Sequence, residues 1–265
     1  MNLPRSRHRA PPRGSLPGLL SLILALSMSA ACAVEQNDTG QTLCYDVAGA
    51  VLPCTTGQDG RFGRDVAAAQ GALLKTGAGR AGFDFTKIGN NGNALAAGAT
   101  LGANPADWAC TRDNVTGLTW EMKTAGASDL RYGGHTYTWY STAANNGGNP
   151  GSLGTNTCGG TLGGIYLDQC NTANYVAAIN AATLCGSGNW RLPTVSEFLS
   201  LADYGTQLLS LDADYFPNSF ARNWSSQTWV SNSAYAWFMN YNYGEVTVDA
   251  KTDNIIYVRL VRDAQ

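Results

Sequence analysis

The sequence predicts a β-dominated, loop-rich chain that is stapled by disulfides and carries a few short helices. Three observations lead there. Only 14% of the residues are charged, against 31 Gly, 12 Tyr and 7 Trp, a balance that suits exterior hairpins and loops and argues against disorder. Seven cysteines become six behind an apparent export leader, an even count that points to three bridges in an oxidising space. The last forty residues alternate apolar and polar between turn signals, the pattern of an antiparallel meander.

The leader comes first. Arg5, Arg7, Arg9 and Arg13 form a basic region, Leu19 to Met28 an apolar core, and Ala31-Cys32-Ala33 a small-x-small cleavage site. Residues 1–33 are therefore expected to be a signal peptide, and the apolar run is too short to span a bilayer. Acylation of Cys32, which would make a lipoprotein, is the alternative. Otherwise the protein is expected outside the cell, at the cell surface or in the periplasm. Without those four arginines the chain keeps 13 basic against 19 acidic residues, a net of −6. Such a balance argues against nucleic acid and other polyanions as partners.

Residues 34–81 form a lead-in, in which Cys44 and Cys54 close a small loop and Asp65 to Lys75 suggest a helix. Gly82 to Ile88 alternates as a strand, and Asn90 to Asn93 is a turn. Gly77-Ala-Gly-Arg-Ala-Gly82 matches a dinucleotide-binding pattern. A strand pattern follows it where a helix would have to begin, so it is taken as a turn. Trp108 to Met122 is a hairpin with Asp113, Asn114 and Gly117 in its turn and Leu118 and Trp120 on one face. His135 to Tyr140 alternates again, and residues 143–164 form a long Gly/Asn/Thr loop.

Between Cys170 and Cys185, Tyr175, Val176, Ile179 and Ala182 fall on one helical face, with Asn171 or Thr172 as cap and Gly186 as stop. Helical rise would hold those two sulfurs about 20 Å apart, too far to bridge. Cys44 with Cys54 and Cys158 with Cys170 are the short-loop choices, leaving Cys110 for Cys185. Asn189 to Gly205 is the junction around which the rest gathers. Thr194 and Glu197 form a capping box, Phe198, Leu201 and Ala202 an apolar stripe, and Gly205 occupies the place of a left-handed cap. The tail is expected to run as four strands, 226–230, 234–241, 244–250 and 255–262.

Candidate chemistry is sparse. His135, the one histidine beyond the leader, is expected on a surface or in a ladder, and no nucleophile elbow accompanies it. Asp212 with Asp214, or Asp249 with Asp253, could bind calcium or act as acid and base. No Cys-x-x-Cys occurs, which disfavours zinc. Trp139, Tyr140, Trp224, Trp229, Asn240, Tyr241, Asn242 and Tyr243, with Trp237, form a set of aromatics and amides suited to stacking on sugar rings or a partner's surface, although packing claims some of them.

Three pieces in order, Asp113-Asn-Val-Thr-Gly-Leu-Thr-Trp120, Trp190-Arg-Leu-Pro-Thr-x-x-Glu197 and Tyr257-Val-Arg-Leu-Val-Arg262, resemble the Lcl C-terminal domain family. That is the domain at the end of the Legionella collagen-like adhesin. With Asn223-Trp-Ser-Ser226 and Ala236-Trp237, the resemblance covers about residues 82–263, so residues 82–265 are expected to be one such domain. It implies trimeric assembly and binding of sulfated glycosaminoglycans. The last two pieces also resemble formylglycine-generating enzymes, whose fold is related to C-type lectins. That likeness implies an α+β fold, C-type-lectin-like, with two or three short helices on twisted antiparallel sheets. The enzyme's late cysteine pair has no counterpart after Cys185, and the Glu-Pro-Asn and Trp-Asn-Asp calcium motifs of lectins are absent.

The expected function is an exported, non-catalytic adhesion module that recognises a glycan or a cell-surface protein and needs no cofactor. A calcium-dependent or acidic-site hydrolase, with Asp212 and Asp214 as metal ligands, and a structural subunit of a homo-oligomeric surface assembly are the alternatives.

Overall fold

The computed structural model describes residues 36–55, 57–158, 168–206 and 209–263. The leader with Cys32, and the end of the Gly/Asn loop beyond Cys158, lie outside them. The described chain is α+β, with every strand pairing antiparallel.

A two-stranded ribbon joins β1 (Cys44–Tyr45) to β2 (Val51–Leu52). The second sheet has the order β3-β4-β5-β9, from β3 (Phe85–Gly89), β4 (Trp108–Asp113), β5 (Thr119–Glu121) and β9 (Val261–Arg262). The third is β6 (Arg222–Thr228), β7 (Tyr235–Asn240) and β8 (Glu245–Ala250), in chain order. Helices are short: α1 (Gly63–Ala69), α2 (Thr172–Ala181) and α3 (Val195–Leu199). None of them is long and apolar enough to cross a membrane.

Local chemistry explains the turns. In the β4–β5 hairpin the Asp113 carboxylate accepts from the Val115 amide at 3.0 Å and the Thr116 hydroxyl at 2.8 Å. Gly117 then turns at φ 76°, a conformation costly for a residue with a Cβ. The Asn171 side chain caps α2 by accepting from the Asn174 amide at 2.9 Å. Tyr175 and Ile179 are buried beneath that helix. At α3 the capping box is closed in both directions.

The three disulfides join Cys44 to Cys54, Cys110 to Cys185 and Cys158 to Cys170, with Cα separations of 5.1, 6.5 and 5.2 Å. The Cys110–Cys185 bridge ties β4 to the turn after α2 and sits in one hydrophobic cluster with Trp139, Tyr175, Trp190, Trp224 and Leu260. A second cluster gathers Phe85, Trp120, Phe198, Tyr215 and Tyr241 around α3.

Several expectations change. The first helix spans 63–69 and stops at Gly71, which sits at φ 69°. Residues 135–140 make isolated bridges instead of a strand, because Tyr137, Thr138 and Tyr140 pair with three different segments, at Ile256, Asn171 and Gly151, and all but Tyr140 are buried. His135 is thus an interior residue; burial pulls its imidazole down, and its Nε2 lies 3.2 Å from the Asp129 carbonyl. On α2, Ala182 is exposed, and the helix ends at Ala181, ahead of the left-handed Thr183, Cys185 and Gly186. Gly205 is not a left-handed cap, since α3 ends at Leu199 with Ser200 as its C-cap. A Cβ at position 205 would instead run into the Gly40 carbonyl and the Arg80 guanidinium.

The tail is corrected too. Its fourth segment leaves β8 and pairs with β5, while Ile256, Tyr257 and Val261 make single bridges to Tyr137, Asn223 and Arg191. The lead-in packs on the same body: Asn37 donates to Asp113 at 2.6 Å, and Arg80 pairs with Asp203 at 2.6 Å.

Candidate functional site

The Arg191–Glu197 motif builds one wall of a cleft. Arg191 is held in register by two backbone bonds of 3.0 Å with Val261. Its guanidinium forks onto Glu197 at 2.9 and 2.7 Å and reaches Asp263 at 2.7 Å. The same carboxylate accepts from the Thr194 amide at 2.7 Å. Burial would raise the Glu197 carboxyl, but Arg191 and Thr194 outweigh it and hold it below the ordinary carboxylate value.

Facing this wall are the start of α2, with Thr172 and Val176, and the segment from Trp139 to Asn145, with Ser226 of β6 at the side. Together they enclose a cleft of about 580 Å³. The Thr172 hydroxyl ties the two elements together, accepting from the Tyr140 amide at 3.0 Å and donating to its carbonyl at 2.9 Å. Asn145 donates to the Ser226 carbonyl at 3.0 Å. Lys251 pins the loop from beneath. Its ammonium lies 4.1 Å from the centre of the Trp139 ring and donates to the Asn146 and Asn149 carbonyls at 2.9 and 2.7 Å. Burial brings that ammonium down to about 8. Gly151, at φ 88°, passes so close to the Trp139 carbonyl that a Cβ would collide with it.

The cleft therefore offers an aromatic, Tyr140, a carboxamide, the hydroxyls of Ser141 and Ser226, and a guanidinium whose charge is already paired, while the Thr172 and Thr194 hydroxyls beside them are spent on Tyr140 and Glu197. Such a surface can stack on a ring and exchange hydrogen bonds with hydroxyl groups.

The aromatic–amide set does not stay together. Trp139, Trp224 and Tyr241 are fully buried, their polar atoms spent on the Ser225, Tyr137 and Phe198 carbonyls; they pack the core and offer no face. Asn240 is buried and receives the Asn242 amide at 3.3 Å. Asn242 and Tyr243 stand exposed in the β7–β8 turn, with Tyr243 at 73%. Trp229 is half-buried against Tyr235 at the opposite end of β7, roughly 17 Å away along a six-residue strand. Trp237, between them, is half-buried. Of the set, Tyr140 lines the cleft, with the buried Trp139 behind it. Thr172, Arg191 and Lys251 were missed, because a cap, a motif and a strand end look local until the chain folds.

Asp212 is buried, accepting from the Arg80 and Asp214 amides at 2.8 and 3.0 Å, so both of its oxygens organise backbone. The Asp253 carboxyl is raised by a hydrogen bond shared with Asp249.

A family model, the Lcl C-terminal domain, matches residues 109–262, more than half of the chain. No curated protein matches the chain, and neither does any solved structure.

Proposed function

Because the chain belongs to the Lcl C-terminal domain family, which is adhesin-related, we propose that it is an exported, non-catalytic adhesion module whose cleft receives a carbohydrate. The observation that carries this reading is the placement of the family's own Arg191–Glu197 motif as one wall of the cleft, opposite Tyr140. Hydroxyl and amide groups above an aromatic match the alternating polar rim and flat apolar face of a sugar ring. Ion pairing of Arg191 to Glu197 and Asp263 satisfies its charge internally, so neutral or weakly acidic sugars suit the cleft better than sulfated chains. Three disulfides fit an oxidising exterior.

A glycan array probed with the purified, oxidised protein tests this. Binding to a defined glycan class is expected, reduced at least about tenfold in Tyr140→Ala and in Asn145→Ala, about the loss of one good stacking or hydrogen-bonding contact. Melting temperatures should shift little. Tyr243→Ala should leave binding intact. Loss of binding in Tyr243→Ala with retention in Tyr140→Ala would move the contact to the β7–β8 turn, and a silent array would remove the carbohydrate reading.

A further inference from the structure

Three carboxylates that the sequence scatters over the lead-in come together beside the family-matched region. One oxygen from each of Asp38, Asp59 and Asp65 lies within 4.8 Å of the others. Asp38 precedes the first ribbon, Asp59 begins a single 3-10 turn, and Asp65 is in α1. None of the three takes part in the four ion pairs among the described residues. Like charges at this spacing repel, and no ion pair among the described residues answers them.

Asp65 supplies the second observation. It is 1% exposed, and its Oδ1 accepts from the Gly82 amide at 2.6 Å. Its Oδ2 is buried without a hydrogen bond, although the Gly40 amide faces the same carboxyl. A buried carboxylate oxygen that makes no hydrogen bond, beside two further carboxylates, presents lone pairs that a cation can take. Burial foremost, and the Asp38 charge with it, push this carboxyl above its usual range. The Thr39 hydroxyl, which donates to Asp59, adds a further hard oxygen at the rim.

We propose that Asp38, Asp59 and Asp65 form a calcium site that fastens the lead-in to the adhesion domain. All the donors are hard oxygens, which suit calcium and magnesium and not the soft or borderline metals. The 4.8 Å limit lets one oxygen from each carboxylate reach a single ion. Calcium tolerates an irregular set of protein oxygens, whereas magnesium demands near-octahedral geometry and keeps most of its water, so calcium is the ion assigned. Asp65 then conveys the fastening inward through Gly82, which leads into β3. The site is separate from Asp212, whose oxygens hold the Arg80 and Asp214 amides, and from the exposed Asp214.

Titration calorimetry of the chelator-treated, oxidised protein with calcium chloride, and in parallel with magnesium chloride, decides the matter. One saturable calcium event is expected, at least about tenfold tighter than magnesium, together with a rise in melting temperature that grows with calcium concentration. Asp59 is exposed, so Asp59→Asn should fold normally and weaken binding at least about tenfold; Asp38→Asn should do the same, and Asp214→Asn should change nothing. In the unaltered protein, calcium should slow tryptic cleavage after the exposed Arg61. Absence of calcium heat, binding that survives both Asp59→Asn and Asp38→Asn, or binding lost through Asp214→Asn would each overturn the site.

Discussion

Two ionic networks grip the same closing segment, and they differ in how much water reaches them. The Glu121 side chain is fully buried; it pairs with Lys123 at 2.9 Å, receives the Tyr175 hydroxyl, and accepts from the Leu260 amide at 3.0 Å. Arg259, also buried, donates to the Glu121 carbonyl at 2.6 Å. Burial pulls the Lys123 ammonium down to about 8 despite the attraction of Glu121. Three residues further on, Arg191 holds Glu197 and Asp263 with side chains 39%, 18% and 75% exposed. In the first network, losing one partner strands a charge in the core. In the second, water takes up what is lost. The buried network decides where the tail docks, and the wetter one trims the wall of the cleft.

The largest effect should come from breaking the buried network. Glu121→Ala leaves Lys123 uncompensated and should cost about 3–5 kcal/mol in denaturant unfolding with the disulfides intact. Removing both charges, as Glu121→Gln with Lys123→Met, should recover most of that loss. If the double variant were as unstable as the single one, the stranded charge would not be the cause.

Glu197→Ala should cost less, about 1–2 kcal/mol. It removes the reciprocal half of the cap and an ion pair that solvent already screens at Arg191. The pH dependence follows from the lowered Glu197 carboxyl. A group held below its unfolded value near 4.5 contributes stability that is fully present above that value and is lost as pH falls through the folded one. Melting curves of Glu197→Gln should therefore run closer to the parent protein's at pH 3 than at pH 6. A constant gap would contradict this assignment.

Asp263→Asn should do the least, within about 0.5 kcal/mol, since a mostly exposed partner contributes little. Its effect should vanish in high salt.

Much of this was legible in the sequence wherever the partners lie a few residues apart. Thr194 and Glu197 are three apart and make their box from any context that lets α3 start. Asp113 to Gly117 is a self-contained turn. Helical rise across 171–184 excluded one cysteine pairing, and short-loop preference anticipated the rest. The aromatic set was misjudged for a different reason. Alternation reports which residues share a face, but not whether a second layer covers it. Trp224 is covered because the 135–140 segment crosses behind it, giving its indole nitrogen the Tyr137 carbonyl at 2.7 Å. Gly205 misled in a similar way: the atoms that crowd it come from Gly40 and Arg80, more than a hundred residues earlier.

The sequence by itself determined the α3 capping box, the β4–β5 turn, the number of covalent staples and the family, because each rests on short-range geometry or on side-chain identities in a set order. Tertiary structure decided which aromatics are sealed in, that the tail joins β5 and not β8, and that Tyr140 faces Thr194 across a cleft while Asp38 meets Asp65. Those outcomes depend on contacts between distant segments. Their free energies emerge only when whole surfaces pack, and no local pattern records them.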